Sequence, residues 1–129
     1  MKFTARQTTY DEDVLDCNVP TFDGDEHFLR VVTLVYFQQA TDDGIDFYLD
    51  DYEDRKANGL LHLHVHSGGV IFDFNDDRLG AQQIEIEVAV DRQLTDFLVN
   101  KLFLGDVVTY APDVGEDLRL KQTEFREMI

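Results

Sequence analysis

A chain of 129 residues with 43% hydrophobic and 12% aromatic residues is too apolar to stay disordered, and its length suits one domain over 1–129. Its formal charge of −16, from 27 acids against 11 bases, argues against nucleic acid or an anionic membrane as partner and favours a basic protein. Solubility or a saline habitat would account for the same charge, although residues 1–54 alone carry a balance of −11, with only Lys2, Arg6 and Arg30 as bases.

In chain order, FTARQTTY (3–10) alternates weakly and is expected as an edge strand. VLDCNV is expected as a short strand stopped by Pro20, and TFDGDEH (21–27) as a loop around Gly24. FLRVVTLVYF (28–37) is β-branched, aromatic and nearly all apolar, the pattern of a central strand covered on both faces. In TDDGIDFYLDDYEDRKANG (41–59), Ile45, Tyr48, Leu49 and Tyr52 fall at helical spacing, yet Phe47 and Leu49 alternate with polar residues. Strand or loop is preferred there, a short helix being the alternative, and Asn58-Gly59 marks a turn.

LLHLHVH (60–66), VIFDF (70–74) and QIEIEVAV (83–90) read as three consecutive strands of an antiparallel meander, with Ile84, Ile86, Val88 and Val90 facing the core. DRQLTDFLVNKLFLG (91–105) predicts the main amphipathic helix over about 91–104, with Asp91 as N-cap, a stripe of Leu94, Phe97, Leu98 and Leu102, and Gly105 at C′. DVVTY (106–110) is a candidate last strand, and LRLKQTEFREMI pairs as an edge or trails off. The expected class is α+β: an antiparallel sheet of roughly five to seven strands with that one helix packed on it.

Catalytic signatures are few. Cys17 is the sole cysteine, which rules out an internal disulfide and fits a reducing, cytoplasmic setting; its acidic neighbours oppose thiolate formation. No apolar leader follows Met1, and the apolar runs are too short to cross a bilayer. Asp73, Asn75 and Asp77 have the first spacings of a calcium loop, but Arg78 and Ile84 stand where Gly and Glu belong. Ser67, the only serine, lies in HSGG without a nucleophile elbow and reads as a turn residue. Acid pairs are too numerous for any one to mark a general acid.

LHLHVHSGG (61–69) places His62, His64 and His66 on one side of a strand and Leu61, Leu63 and Val65 on the other. Neighbouring histidines are then about 6.7 Å apart and the outer two about 13 Å, so two converge on one ion more readily than three. A metal site needs a further ligand, for which His27, Asp73 or an acid of 42–54 are candidates. His62, His64 and His66 are thus candidate ligands for a divalent metal; otherwise no cofactor is expected. The other readings are a solvated strand face and a proton-sensitive surface. The HxH element resembles that of cupins, which implies a small metal-binding or metal-dependent protein. It departs from the pattern in lacking the following Glu and the later His.

The acidic-aromatic stretch 46–54 offers a partner-binding surface: Asp46, Tyr48, Asp50, Asp51, Tyr52, Glu53 and Asp54. Acids steer a basic protein and aromatics act as anchors, against the plainer reading of a solvated face with its rings turned inward. In layout, the opening FTARQ, the middle IDFYLDDYE and the ending IEIEVAVDRQLTDFLVNKL resemble small acidic immunity proteins of bacterial polymorphic or contact-dependent toxin systems. That resemblance implies a cytosolic, non-enzymatic inhibitor that binds one cognate toxin, often a basic nuclease.

Overall fold

The computed structural model describes residues 1–12, 17–34, 45–50, 56–57, 60–75, 78–102 and 104–120. Among them ten strands form two sheets. They are β1 (Lys2–Thr4), β2 (Gln7–Glu12), β3 (Cys17–Asp23), β4 (Phe28–Leu34), β5 (Ile45–Leu49), β6 (Lys56–Ala57), β7 (Leu60–His66), β8 (Gly69–Phe74), β9 (Gln83–Glu87) and β10 (Val108–Tyr110). One sheet has the order β1-β9-β8-β7-β10 and the other β2-β3-β4-β5-β6, the last being only two residues long.

The chain is mostly β with a short helix, so α+β holds broadly, but a single antiparallel sheet does not. The first sheet is mixed: β7, β8 and β9 form the expected antiparallel meander, while β1 joins β9 and β10 joins β7 in parallel. The second sheet is antiparallel throughout. FTARQTTY is two strands rather than one. β1 ends at Thr4, Ala5 N–H donates to Glu87 O, Arg6 N–H donates to Asp23 O, and the chain has changed sheets within two residues. Gly24 is required beside this crossing, because a Cβ there would meet Thr4 O at 2.6 Å.

Pro20 does not stop β3. It lies inside the strand opposite Tyr10, and pairing with β4 resumes only at Thr21, a step where the ladder does without the missing N–H. β4 is the middle strand of its sheet, as its composition predicts, with Leu29 and Val31 fully buried. Its other face is less covered than expected, since Phe28 and Arg30 are half-buried. Within the ambiguous stretch 41–59, the described residues Ile45–Leu49 are strand, with Phe47 and Leu49 alternating into the core. Asn58-Gly59 lies outside the described residues.

The sheets meet through aromatic rings. Phe22 of β3 and Phe47 of β5 approach Phe72 of β8 at 6.0 and 5.7 Å, and Phe47 approaches Phe74 at 5.1 Å, all edge-on. Leu29, Val31, Leu63, Val65, Ile84 and Ile86 join the same buried cluster from both sheets, the arrangement of two faces packed together.

The helix is shorter and wider than predicted. Asp91 caps it as expected, accepting from Leu94 N–H at 2.8 Å, and α1 covers Arg92–Asp96. Phe97–Lys101 then follow π geometry, with Leu102 N–H donating to Phe97 O. The stripe Leu94, Phe97, Leu98 and Leu102 is buried, but so is Val99. Three consecutive buried residues overrun the arc of an α stripe, and the wider turn accommodates them. Gly105 is not a left-handed cap; positive φ among the described glycines falls at Gly69 and Gly80.

Gly69 follows the Ser67-Gly68 turn with φ 155°, and a Cβ there would lie 2.0 Å from Ile86 O. Gly69→Ala is expected to lower stability by about 2 kcal/mol or more, read from the urea midpoint. Gly68→Ala, whose Cβ meets only the His66 ring at 3.4 Å, is expected to cost less than about 1 kcal/mol.

Candidate functional site

The outward face of the first sheet carries the histidines. Strand alternation buries Leu63 and Val65 and leaves His62, His64 and His66 half-exposed on the other side. Leu61 breaks the expected pattern. Pairing with β8 shifts between Leu60 and His62, so Leu61 is the extra residue of a bulge, 60% exposed, while Leu60 packs on the core in its place.

Thr109 joins two of the histidines. β10 runs parallel to β7 with Thr109 opposite His64, and its Oγ1 lies 2.8 Å from His62 Nε2 and 2.9 Å from His64 Nδ1. One hydroxyl proton serves two nitrogens, so with neutral rings Thr109 donates to one imidazole and accepts from the other. The two rings stack at 6.1 Å between centroids. On the β8 side, Asp73 Oδ2 is 3.5 Å from His62 Nδ1, and Asp73 Oδ1 accepts from Gln83 Nε2 at 2.9 Å.

His66 is held apart. Its Nδ1 accepts from Gly68 N–H at 3.1 Å, which places the proton of the neutral ring on Nε2. Beside it the Ser67 hydroxyl donates to Asp113, and that bond, helped by the backbone N–H groups of Asp113 and Ser67, holds the Asp113 carboxyl below the usual range. Ser67 is therefore a turn residue, as expected, with its hydroxyl tied to the Asp113 carboxylate across the turn.

The same face continues across β9 and β1. Lys2 Nζ lies 3.2 Å from Glu85 and 3.1 Å from Glu87. These hydrogen bonds raise the Lys2 pKa, and the bond from Lys2 lowers that of Glu87. Among the described residues, no three His, Cys, Asp or Glu side chains come together as a metal-holding group.

Of the further ligands suggested for the histidines, Asp73 adjoins His62 and His27 does not. His27 Nδ1 donates to Asp50 Oδ2 at 2.7 Å, beside Phe3.

The acidic-aromatic stretch divides. Phe47 and Leu49 are core residues, Tyr48 and Asp50 fall on the opposite face of the chain by the period of two, and Asp46 belongs to the same strand. Tyr48 is half-buried opposite Arg30, whose guanidinium carbon is 5.9 Å from the ring centroid. Asp50 serves the fold internally, because at φ 60° its carboxylate accepts from Phe28 N–H at 2.9 Å as well as from His27. Asp51, Tyr52, Glu53 and Asp54 lie outside the described residues.

Two residues that the sequence did not single out have defined surroundings. Thr109 is one; nothing in DVVTY says which strand it will adjoin. The other is Tyr10, its ring tilted by 48° against Phe97 with 4.8 Å between centroids, in a cleft of about 280 Å³ lined also by Arg6, Thr8, Val88, Asp91 and Gln93. Burial first, and then the charge of Asp91, push the Tyr10 phenol up to about 12.

Compared with family models, curated proteins and solved structures, the chain matches none. Among the described residues, no helix is long and apolar enough to cross a membrane.

Asp50→Ala is expected to cost about 1–2 kcal/mol, because it removes an acceptor for Phe28 N–H and strands a positive φ. Asp50→Asn, which tolerates that backbone and keeps one oxygen, is expected to cost less; chemical denaturation of both variants checks the order. For Tyr10 the folded pKa lies above the ordinary value near 10. Its contribution to stability is full below about pH 10 and is lost as pH rises toward 12. Phenolate absorbance during an alkaline titration of wild type should show a late-ionising tyrosine that Tyr10→Phe removes.

Proposed function

We propose that this chain is a non-enzymatic, acidic protein-binding module of the immunity type, which inhibits a basic, nuclease-type toxin by covering its cationic surface. The observation that carries this reading is the charge: 27 acids against 11 bases, with −11 of the net −16 falling in residues 1–54, where only three bases occur. A field of that sign accelerates encounter with a basic protein and disfavours acidic competitors.

The docking face suggested is the outer side of β5 and the acids that follow it. Tyr48 is held there by core packing of its neighbours Phe47 and Leu49, so a partner meets an aromatic already fixed in place. Asp46, Asp51, Glu53 and Asp54 supply charge. Asp50 is the weakest contact candidate of the set, since its oxygens already serve His27 and Phe28.

The test is capture from lysate of the cells that make the protein, at low salt, followed by a salt wash and a nuclease assay on whatever is retained. A stoichiometric basic protein, inhibited while bound and weakened about tenfold or more by neutralising Asp46, Asp51, Glu53 and Asp54 together, is the expected result. A partner that is not basic would end the reading, and unchanged affinity after the four replacements would remove the docking face.

A further inference from the structure

The geometry points to a two-histidine binding site for a borderline divalent cation (Cu²⁺, Ni²⁺ or Zn²⁺) on the outer face of the first sheet, with His62 Nε2 and His64 Nδ1 as ligands. The site does not depend on the partner-binding reading above.

Three observations meet there. First, the two nitrogens converge. Both lie within hydrogen-bond distance of one oxygen, Thr109 Oγ1, at 2.8 and 2.9 Å. A metal–imidazole bond is about 2.0–2.1 Å long, so a cation at that point needs each ring to close by less than about 1 Å. Thr109 is itself exposed, on β10, which is an edge strand among the described residues, and vacates the point by rotating about one bond.

Second, the remaining nitrogen of His62 faces a carboxylate that is itself oriented. Asp73 Oδ2 is 3.5 Å from His62 Nδ1, and Gln83 donates to the other Asp73 oxygen at 2.9 Å. A carboxylate on that side of a ligating histidine favours the proton on Nδ1 and leaves Nε2 with a lone pair for the metal. Register enforces this order, since His62 is paired directly with Asp73 on β8 and Asp73 with Gln83 on β9.

Third, His66 is excluded from the pair. Its Nδ1 already accepts Gly68 N–H, and its ring centroid is 6.3 Å from that of His64 on the side away from His62. The ligand set is therefore two imidazoles, with water completing the shell. Imidazole nitrogen selects the later first-row ions, whereas Ca²⁺ and Mg²⁺ require oxygen. The charge of −16 raises the local concentration of any cation and leaves selection to the nitrogens.

The experiment titrates Ni²⁺ and Zn²⁺ separately into untagged, metal-stripped protein at neutral pH, read by calorimetry and by the thermal midpoint. One equivalent should bind, with a rise in midpoint, because the cation stabilises only the state in which the two rings are held together. His62→Gln and His64→Gln should each weaken binding by about tenfold or more, and Asp73→Asn by about tenfold. His66→Gln should leave affinity unchanged, and the metal-free midpoints of these surface variants should match wild type.

A second readout does not depend on variants: substoichiometric Cu²⁺ should broaden the ring resonances of His62 and His64 before those of His66 and His27. Equal losses from all three ladder variants, equal response to Ca²⁺ or Mg²⁺, or simultaneous broadening of all four rings would each overturn the site.

Discussion

Phe72 stands where the two sheets touch, meeting both Phe22 and Phe47 of the second sheet, and its burial is complete. Face-to-face packing at one ring cluster settles which side of every strand is solvated. Once Phe47 is committed inward, Tyr48 has no choice of face. Once Phe72 is, Asp73 must stand outward beside His62. The polar groups of both outer faces are therefore consequences of apolar contacts they never touch. Replacing Phe72 with a smaller residue would cost the core its ring contacts and leave a cavity, about 3–5 kcal/mol, and would loosen both faces together.

What could be read from the sequence is what local periodicity controls. β7, β8 and β9 were legible because period-two alternation and a two-residue turn are encoded within neighbouring positions. The Asp91 cap was legible for the same reason, as its oxygen acts only three residues away. Pairings that join distant segments were not. Nothing near Lys2 announces Glu85 as its neighbour in a parallel ladder, and nothing near Thr109 announces His64. The missed second sheet follows from this, because the change of sheet takes only Ala5 and Arg6 and leaves no Gly or Pro as a marker. The π turns escaped because the stripe Leu94, Phe97, Leu98 and Leu102 fits an α-helix well until Val99 also needs burial.

The candidate sites divide along the same line. That His62, His64 and His66 share a face is a one-strand fact and was legible. Which two belong together is a four-strand fact: it needs Thr109 from β10, Asp73 from β8 and Gln83 from β9. The acidic stretch shows the converse hazard. Its composition makes every acid look like a surface charge, yet Asp50 adopts a left-handed backbone and satisfies Phe28 N–H, work that belongs to folding.

The bulge at Leu61 has a bearing on how this chain can vary. A strand keeps its inside and outside by counting, and one residue gained or lost reverses the count for everything beyond it. Leu61 is a residue already outside the count. Length changes upstream of it can be taken up at the bulge, and the parity of the histidine face survives them. Between His62 and His66 there is no such buffer: a single insertion would send imidazoles into the apolar interior and Leu63 or Val65 into water. The strand thus has a tolerant end and an intolerant one, and the boundary between them is a single leucine.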